Sequence, residues 1–377
     1  MAGLYFHIPF CKQACHYCDF HFSTSIKYKD QMISAMQREL ILRANELSVP
    51  VQTIYFGGGT PSLLSAREII DLLTVARNHY AVAPDAEITL EANPDDITPL
   101  KLQALKEAGI NRLSLGIQSF KAEDLTLMNR AHNPDQALQA LEDVAELFQN
   151  YSVDLIYGLP GQSDADWAQN LRVAQKFDVP HLSCYALTQE PKTALDAFIK
   201  KGQLAPLDEV QAQAHYYALL DWAQQHNYSN YEFSNFGKPG FNSRNNTAYW
   251  SGHPYLGIGP SAHSYDQKKR SWNKAHNLHY IRDITKNELP SQFEVLSPAD
   301  HFNEYIMTRL RTAAGVQLDE IAQKFGHSVR TKLYNNALKH LKSGVLVEKG
   351  THLVVTRKGK FLSDGIASDL FLLNLER

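Results

Sequence analysis

Cys11, Cys15 and Cys18 fall in a Cys-x3-Cys-x2-Cys spacing directly after the apolar run LYFHIP. One short loop therefore offers three thiolates, and soft sulfur ligands suit iron–sulfur clusters. The count is informative. A cubane holds about four irons, so three protein ligands leave one iron open to chelate a second molecule, whereas an electron-transfer cluster normally takes a full protein set. The same thiols could instead hold zinc, for which His7, His16 and His21 lie near enough in sequence to supply a further ligand. The remaining cysteine, Cys184, sits mid-strand in HLSCYAL and reads as a small buried hydrophobe. Four cysteines in 377 residues make no disulfide framework, and clustered thiols belong to a reducing compartment.

The elements around this loop alternate. After the strand at residues 3 to 8 come the strand patterns VQTIYF, EITLEA, RLSLGI, VDLIYG and HLSCYA, separated by helical segments near 65–81, 98–108, 134–149 and 165–177. Six strands alternating with helices predict a parallel sheet with right-handed crossovers, as an incomplete (β/α)6 TIM-like barrel rather than a doubly wound sheet. A helix over 207–226 follows, then YEFSNF as a strand and a Gly/Pro/Asn-rich stretch to about 265 read as a structured loop. From about 300 the chain turns helical and then predicts a hairpin from LVEKG and HLVVTRKG, giving a smaller α+β, winged-helix-like domain. The expected division is 1–190 for the partial barrel, 191–298 for an extension with an aromatic, Gly-rich loop, and 299–377 for the C-terminal domain. Hydrophobic residues at 44%, charged residues at 20% and a net charge of -3 fit a globular cytoplasmic protein and give no basic footprint for nucleic acid. No apolar run reaches the roughly 20 residues a membrane span needs.

YFHIPFCKQACHYCDF resembles the cluster loop of radical S-adenosylmethionine (SAM) proteins, in the branch that holds oxygen-independent coproporphyrinogen III oxidase (HemN) and the HemW heme chaperones. The likeness continues through FGGGTPSLL, LEANPDD, GINRLSLGIQSF, DLIYGLPGQ, YEFSNF, YLGIGPSAHSY and TRKGKFLSDGIASDLF. It implies a [4Fe–4S] cluster on Cys11, Cys15 and Cys18, with SAM chelating the open iron through its amino and carboxylate groups. In a parallel barrel, ligands meet the C-terminal ends of the strands, where Gly57, Gly58, Gly59, Glu91, Gln118 and Asp154 fall, with Arg130 in a following loop. By resemblance these residues, with Tyr5 beside the loop, bind SAM. The glycines let backbone carbonyls approach the ammonium, Glu91 grips the ammonium or a ribose hydroxyl, Arg130 takes the carboxylate, and Asp154 and Gln118 take the ribose.

Position 20 bears on purpose. The oxidase pattern has a further cysteine there, where this chain has Phe20, and only ten residues precede Cys11, without the extension of oxidase-type members. Both features favour the chaperone. The HemW branch also carries a His-Asn-x-x-Tyr-Trp motif implicated in heme binding, and here Asn245 stands at its histidine, followed by Asn246, Tyr249 and Trp250. Tyr249 and Trp250 could stack on a porphyrin. His253 and His263 are the nearest substitute ligands, and each also reads as a hydrogen-bonded loop residue. The resemblance thus implies heme or a porphyrin as ligand, a heme-accepting apoprotein and an electron donor as partners. The rival readings are a coproporphyrinogen III oxidase, which decarboxylates propionates, and a zinc-holding structural module.

Overall fold

The computed structural model describes residues 1–373. Six strands, β1 (Ala2–Ile8), β2 (Val51–Gly58), β3 (Val82–Ala92), β4 (Arg112–Gln118), β5 (Tyr151–Tyr157) and β6 (His181–Ala186), lie side by side in chain order, all parallel. Sequential order is the mark of a barrel; a doubly wound sheet would reverse direction part-way. Helices Ala66–His79, Pro134–Leu147 and Asp164–Lys176 each open on a reciprocal capping box, from Ser65, Asn133 and Ser163. Each box satisfies two otherwise orphaned backbone donors, so these helices start where the sequence places them.

Alternation along the strands sorts the two faces. Leu4, Phe6, Ile54, Phe56, Leu90, Leu113, Leu115, Val153, Leu155 and Leu182 face the helices and form the main core. Cys184 joins that core, 1% exposed. The opposite face carries Tyr55, Glu91, Arg112, Ser114, Asp154 and Ser183 toward a cavity.

Both edges are extended. The hairpin of β7 (Ser229–Glu232) and β8 (Asn235–Gly237) adds antiparallel to β6, so YEFSNF is not a single strand but spans the turn of a hairpin. The Gly/Pro/Asn-rich stretch is more ordered than a loop. It holds the helix Arg244–Trp250, then β9 (Tyr255–Ile258), which pairs parallel with β1 as a seventh parallel strand, and β10 (His263–Tyr265). β11 (Lys269–Asn273) and β12 (Ser291–Val295) complete a twelve-stranded open sheet with β12 and β7 at its edges.

A second core gathers Phe302, Ile306, Leu310, Ile321, Leu333, Leu353, Ile366 and Leu370. It lies among the helices Pro298–Leu310, Leu318–Phe325, His327–Lys342 and Ser363–Leu370 and a three-stranded sheet of β13 (Val316–Gln317), β14 (Leu346–Lys349) and β15 (His352–Val355). β14 and β15 form the expected hairpin. This part is tied to the hairpin of β7 and β8 by backbone bonds from Phe233 N to Arg311 O and from Ala313 N to Tyr231 O. Among the described residues no helix is long and apolar enough to cross a membrane.

Candidate functional site

The loop after β1 is pinned by backbone bonds from Cys11 N to Ser23 O, Ser23 N to Pro9 O and His16 N to Met128 O. Cys11, Cys15 and Cys18 are all unpaired and line one cavity of about 720 Å³. Burial pushes the Cys11 thiol up and that of Cys18 up to about 11. Buried thiols of this kind ionise when a cation offsets the lost hydration, so the site suits metal ligation.

The histidines weighed as zinc ligands are engaged elsewhere. His7 is hydrogen-bonded at Nδ1 to the Tyr5 hydroxyl (3.2 Å) and at Nε2 to His21 O (2.8 Å). His16 Nδ1 donates to Leu127 O (2.9 Å), and His21 Nε2 meets Asn277 Oδ1 (2.7 Å). Among the described residues, no three such side chains gather at single-ion spacing. Three thiols lining one cavity, with the neighbouring imidazoles engaged elsewhere, fit a cluster with an open iron better than a closed tetrahedral zinc site.

The strand ends supply the rest of the wall. Gly58 has φ +104 and the His7 ring 2.7 Å from where a Cβ would stand, and at Gly59 a Cβ would meet Phe10 O at 2.6 Å. No side chain fits at either position, which explains the glycines. Glu91 accepts a hydrogen bond from the Tyr55 hydroxyl (2.8 Å), and burial lifts its carboxyl to about 7, aided by the charge of Asp154. Asp154 accepts from Ser114 Oγ (3.0 Å) and Ser152 Oγ (3.4 Å), and burial lifts it to about 6. Gln118 ends β4 in a left-handed conformation, φ 69. Arg130 donates from Nη1 to Cys15 Sγ (3.3 Å) and from Nη2 to Asn93 Oδ1 (2.6 Å) and Gly116 O (2.7 Å), while its Nε has no partner.

Gly58, Gly59, Glu91, Gln118, Arg130 and Asp154 thus share the cavity with the three thiols. Gly57 and Tyr5 do not line it; the Tyr5 ring lies against Gly57, 3.0 Å from where a Cβ would stand. Tyr55, Asn93 and Arg112 line it as well, and the sequence reading passed over them. Alternation from Ser114 would have placed Arg112 on the inner face.

The residues weighed for heme lie elsewhere. The backbone amides of Arg244 and Asn245 bond to the Glu87 carboxylate (3.0 Å each), and Asn245 Oδ1 points toward Gly3, near the start of β1. Asn246, not Asn245, reaches the cavity. The Tyr249 ring lies 4.9 Å from that of Tyr255, and the Trp250 ring carries the Arg311 guanidinium at 5.3 Å. His253 is half-buried and His263 exposed beside Trp272; neither lines the cavity.

Residues 5–174 match the radical SAM superfamily model, and residues 296–362 match the HemN C-terminal domain. The chain is 37% identical to the heme chaperone HemW of Mycobacterium tuberculosis, over 98% of this chain and 94% of that one. The corresponding figures for HemW of Bacillus subtilis are 34%, 97% and 98%. This chain belongs to the HemW family of radical SAM proteins. The solved structure of coproporphyrinogen III oxidase (HemN) from Escherichia coli superposes with a TM-score of 0.85 at 25% identity, covering 99% of this chain and 90% of that one. This chain therefore shares the HemN architecture, C-terminal domain included. SAM and a [4Fe–4S] cluster are the cofactors of the superfamily, and the cavity wall described above has the donors for both.

Proposed function

We propose that this chain is a heme chaperone, binding heme and passing it to an apoprotein, with Cys11, Cys15 and Cys18 holding a [4Fe–4S] cluster. The observation that carries the reading is the cavity. Three free thiols lining it and a volume within the roughly 300–1,000 Å³ of small-molecule sites occur in a chain that matches HemW relatives along nearly its whole length. When bound, the cluster supplies one-electron chemistry and an open coordination position for SAM. Arg130 would hold the methionine carboxylate, Glu91 and the backbone at Gly58 and Gly59 the ammonium, and Asp154 and Gln118 the ribose. Tyr5 and Gly57 would support this wall from behind. Phe20, 65% exposed on the cavity rim, stands where the oxidase pattern has a cysteine, which favours the chaperone over the oxidase.

The partners of this reading are heme, a heme-accepting apoprotein and an electron donor, and its compartment is the cytoplasm, where reducing conditions keep the four cysteines free. The division at 1–190, 191–298 and 299–377 belongs to the same proposal, supported by the second core, whose residues apart from Phe233 all lie at or after Phe302. Anaerobic reconstitution followed by parallel heme titration and a coproporphyrinogen III assay tests it. Stoichiometric heme binding without decarboxylation is expected. Turnover of coproporphyrinogen III without heme binding would establish the oxidase instead.

A further inference from the structure

Arg112 is among the largest fully buried side chains of the chain, 2% exposed, and faces the cavity. Among the described residues its Nε and Nη2 have no hydrogen-bond partner, and no carboxylate lies within salt-bridge distance of it. Asp154, whose carboxyl feels the Arg112 charge, is engaged with serines. A guanidinium taken out of water without a counter-ion is costly, so a free one aimed into a cavity is the signature of an absent anion. Arg112 opens β4, so it lies at the end of the barrel opposite the cluster loop.

Two more cations line the cavity from the C-terminal part. Among the described residues Lys360 forms no salt bridge; its Nζ meets the Asn230 side chain, and burial lowers it to about 8, partly offset by the charge of the buried Glu232, which also feels Arg311. Arg311 is held between the rings of Phe233 (5.2 Å) and Trp250 (5.3 Å), its Nε unpartnered and its Nη1 on the exposed Asp364 at 3.1 Å. Glu91 and Asp154 line the cavity on the strands, and Asp364 lines it beside Arg311.

We propose that Arg112 at the far end of the cavity and the Arg311–Lys360 pair on its wall receive the two carboxylates of a tetrapyrrole, an inference that rests on the heme-binding reading. No imidazole lines the cavity. Recognition there runs through the propionates and the apolar ring rather than through the metal.

The test uses the reconstituted full chain and three probes: hemin, metal-free protoporphyrin IX and hemin dimethyl ester. The parent protein should bind the first two within a few-fold of each other and the ester about 10- to 100-fold more weakly, the worth of a charge-assisted contact. Arg112→Met and Lys360→Met should each narrow that gap. Arg112→Met should also raise the Tm of the ligand-free protein, because it removes a buried unpaired charge, whereas a merely structural arginine would leave it lower. Should Arg112→Met not fold, the arginine is structural and the inference fails in that part, and the half-buried Lys360 still decides the other. Unchanged discrimination in both variants overturns the inference while heme binding stands. So does binding of hemin without metal-free porphyrin, which would place recognition on the iron. A parent protein that binds no porphyrin at all removes the chaperone reading itself.

Discussion

Arg130 touches the Cys15 thiol, Asn93 and the Gly116 carbonyl, whereas Asp154 touches only serines and lies deeper on β5. Their replacements should therefore differ. Asp154→Asn is expected to weaken SAM binding about 10- to 100-fold with iron, sulfide and visible spectrum unchanged. Arg130→Met should weaken SAM binding and also shift the cluster spectrum, since Cys15 Sγ loses its donor. Cys15→Ala should abolish the cluster absorbance altogether, and retained iron would refute the ligand set. Glu91 adds a pH dependence. With its carboxyl lifted to about 7 by burial, the folded chain keeps a proton that the unfolded chain has released above the ordinary carboxylate range. Stability from this group therefore falls as pH rises through that window. Glu91→Gln should raise the Tm of the ligand-free protein relative to the parent near about pH 8 and leave it unchanged near about pH 5. Thermal melts at the two values check it. At this scale the cysteine spacing and the strand-end glycines were legible in the sequence, because their chemistry is local. Arg112 was not, since its lack of a partner depends on residues that only the folded sheet brings around it.

The helix Arg244–Trp250 shows what a short element in a Gly/Pro-rich stretch conceals. Its seven residues and the four of β9 are too few for a periodic pattern to stand out. β9 takes its register from β1, some 250 positions away, with Gly3 opposite Tyr255, and no local signal encodes such a pairing. By contrast the barrel helices, with long apolar faces and capping boxes, were placed to within a few residues. The helix also revises an expectation about heme. With the Asn245 side chain turned toward Gly3 and away from the cavity, Asn245→His should leave heme affinity and the Soret band unchanged, provided heme occupies the cavity. A tighter complex with a shifted Soret band would place heme against this helix, and His253 and His263 would be the next positions to replace.

The C-terminal part completes the cavity of the barrel, so its docking should control ligand binding as strongly as any residue at the strand ends. Two side chains, Arg357 and Phe361, hold its 357–362 turn to the helix Glu209–Gln225. The first makes a bidentate pair with Asp221, about half exposed on both sides, where solvent screening leaves such pairs little weight, and also reaches Tyr217 O at 3.4 Å. The second is Phe361, which is partly buried against the main core, with its ring centroid 6.5 Å from that of Tyr216, and which also lines the cavity. Partial burial of an aromatic ring is worth about 1–2 kcal/mol, so the apolar contact should outweigh the ion pair. Asp221→Asn is therefore expected to leave heme and SAM affinity unchanged. Phe361→Ala should weaken heme binding, speed hydrogen exchange in the backbone bonds that join Phe233 to Arg311 and Ala313 to Tyr231, and spare the cluster spectrum and SAM affinity, whose ligands all lie on the barrel. If Phe361→Ala costs heme affinity without changing that exchange, the ring acts as a direct contact with the ligand rather than as the fastening between the two cores. If Asp221→Asn proves the more damaging change, the surface pair and not the buried ring sets how the cavity closes.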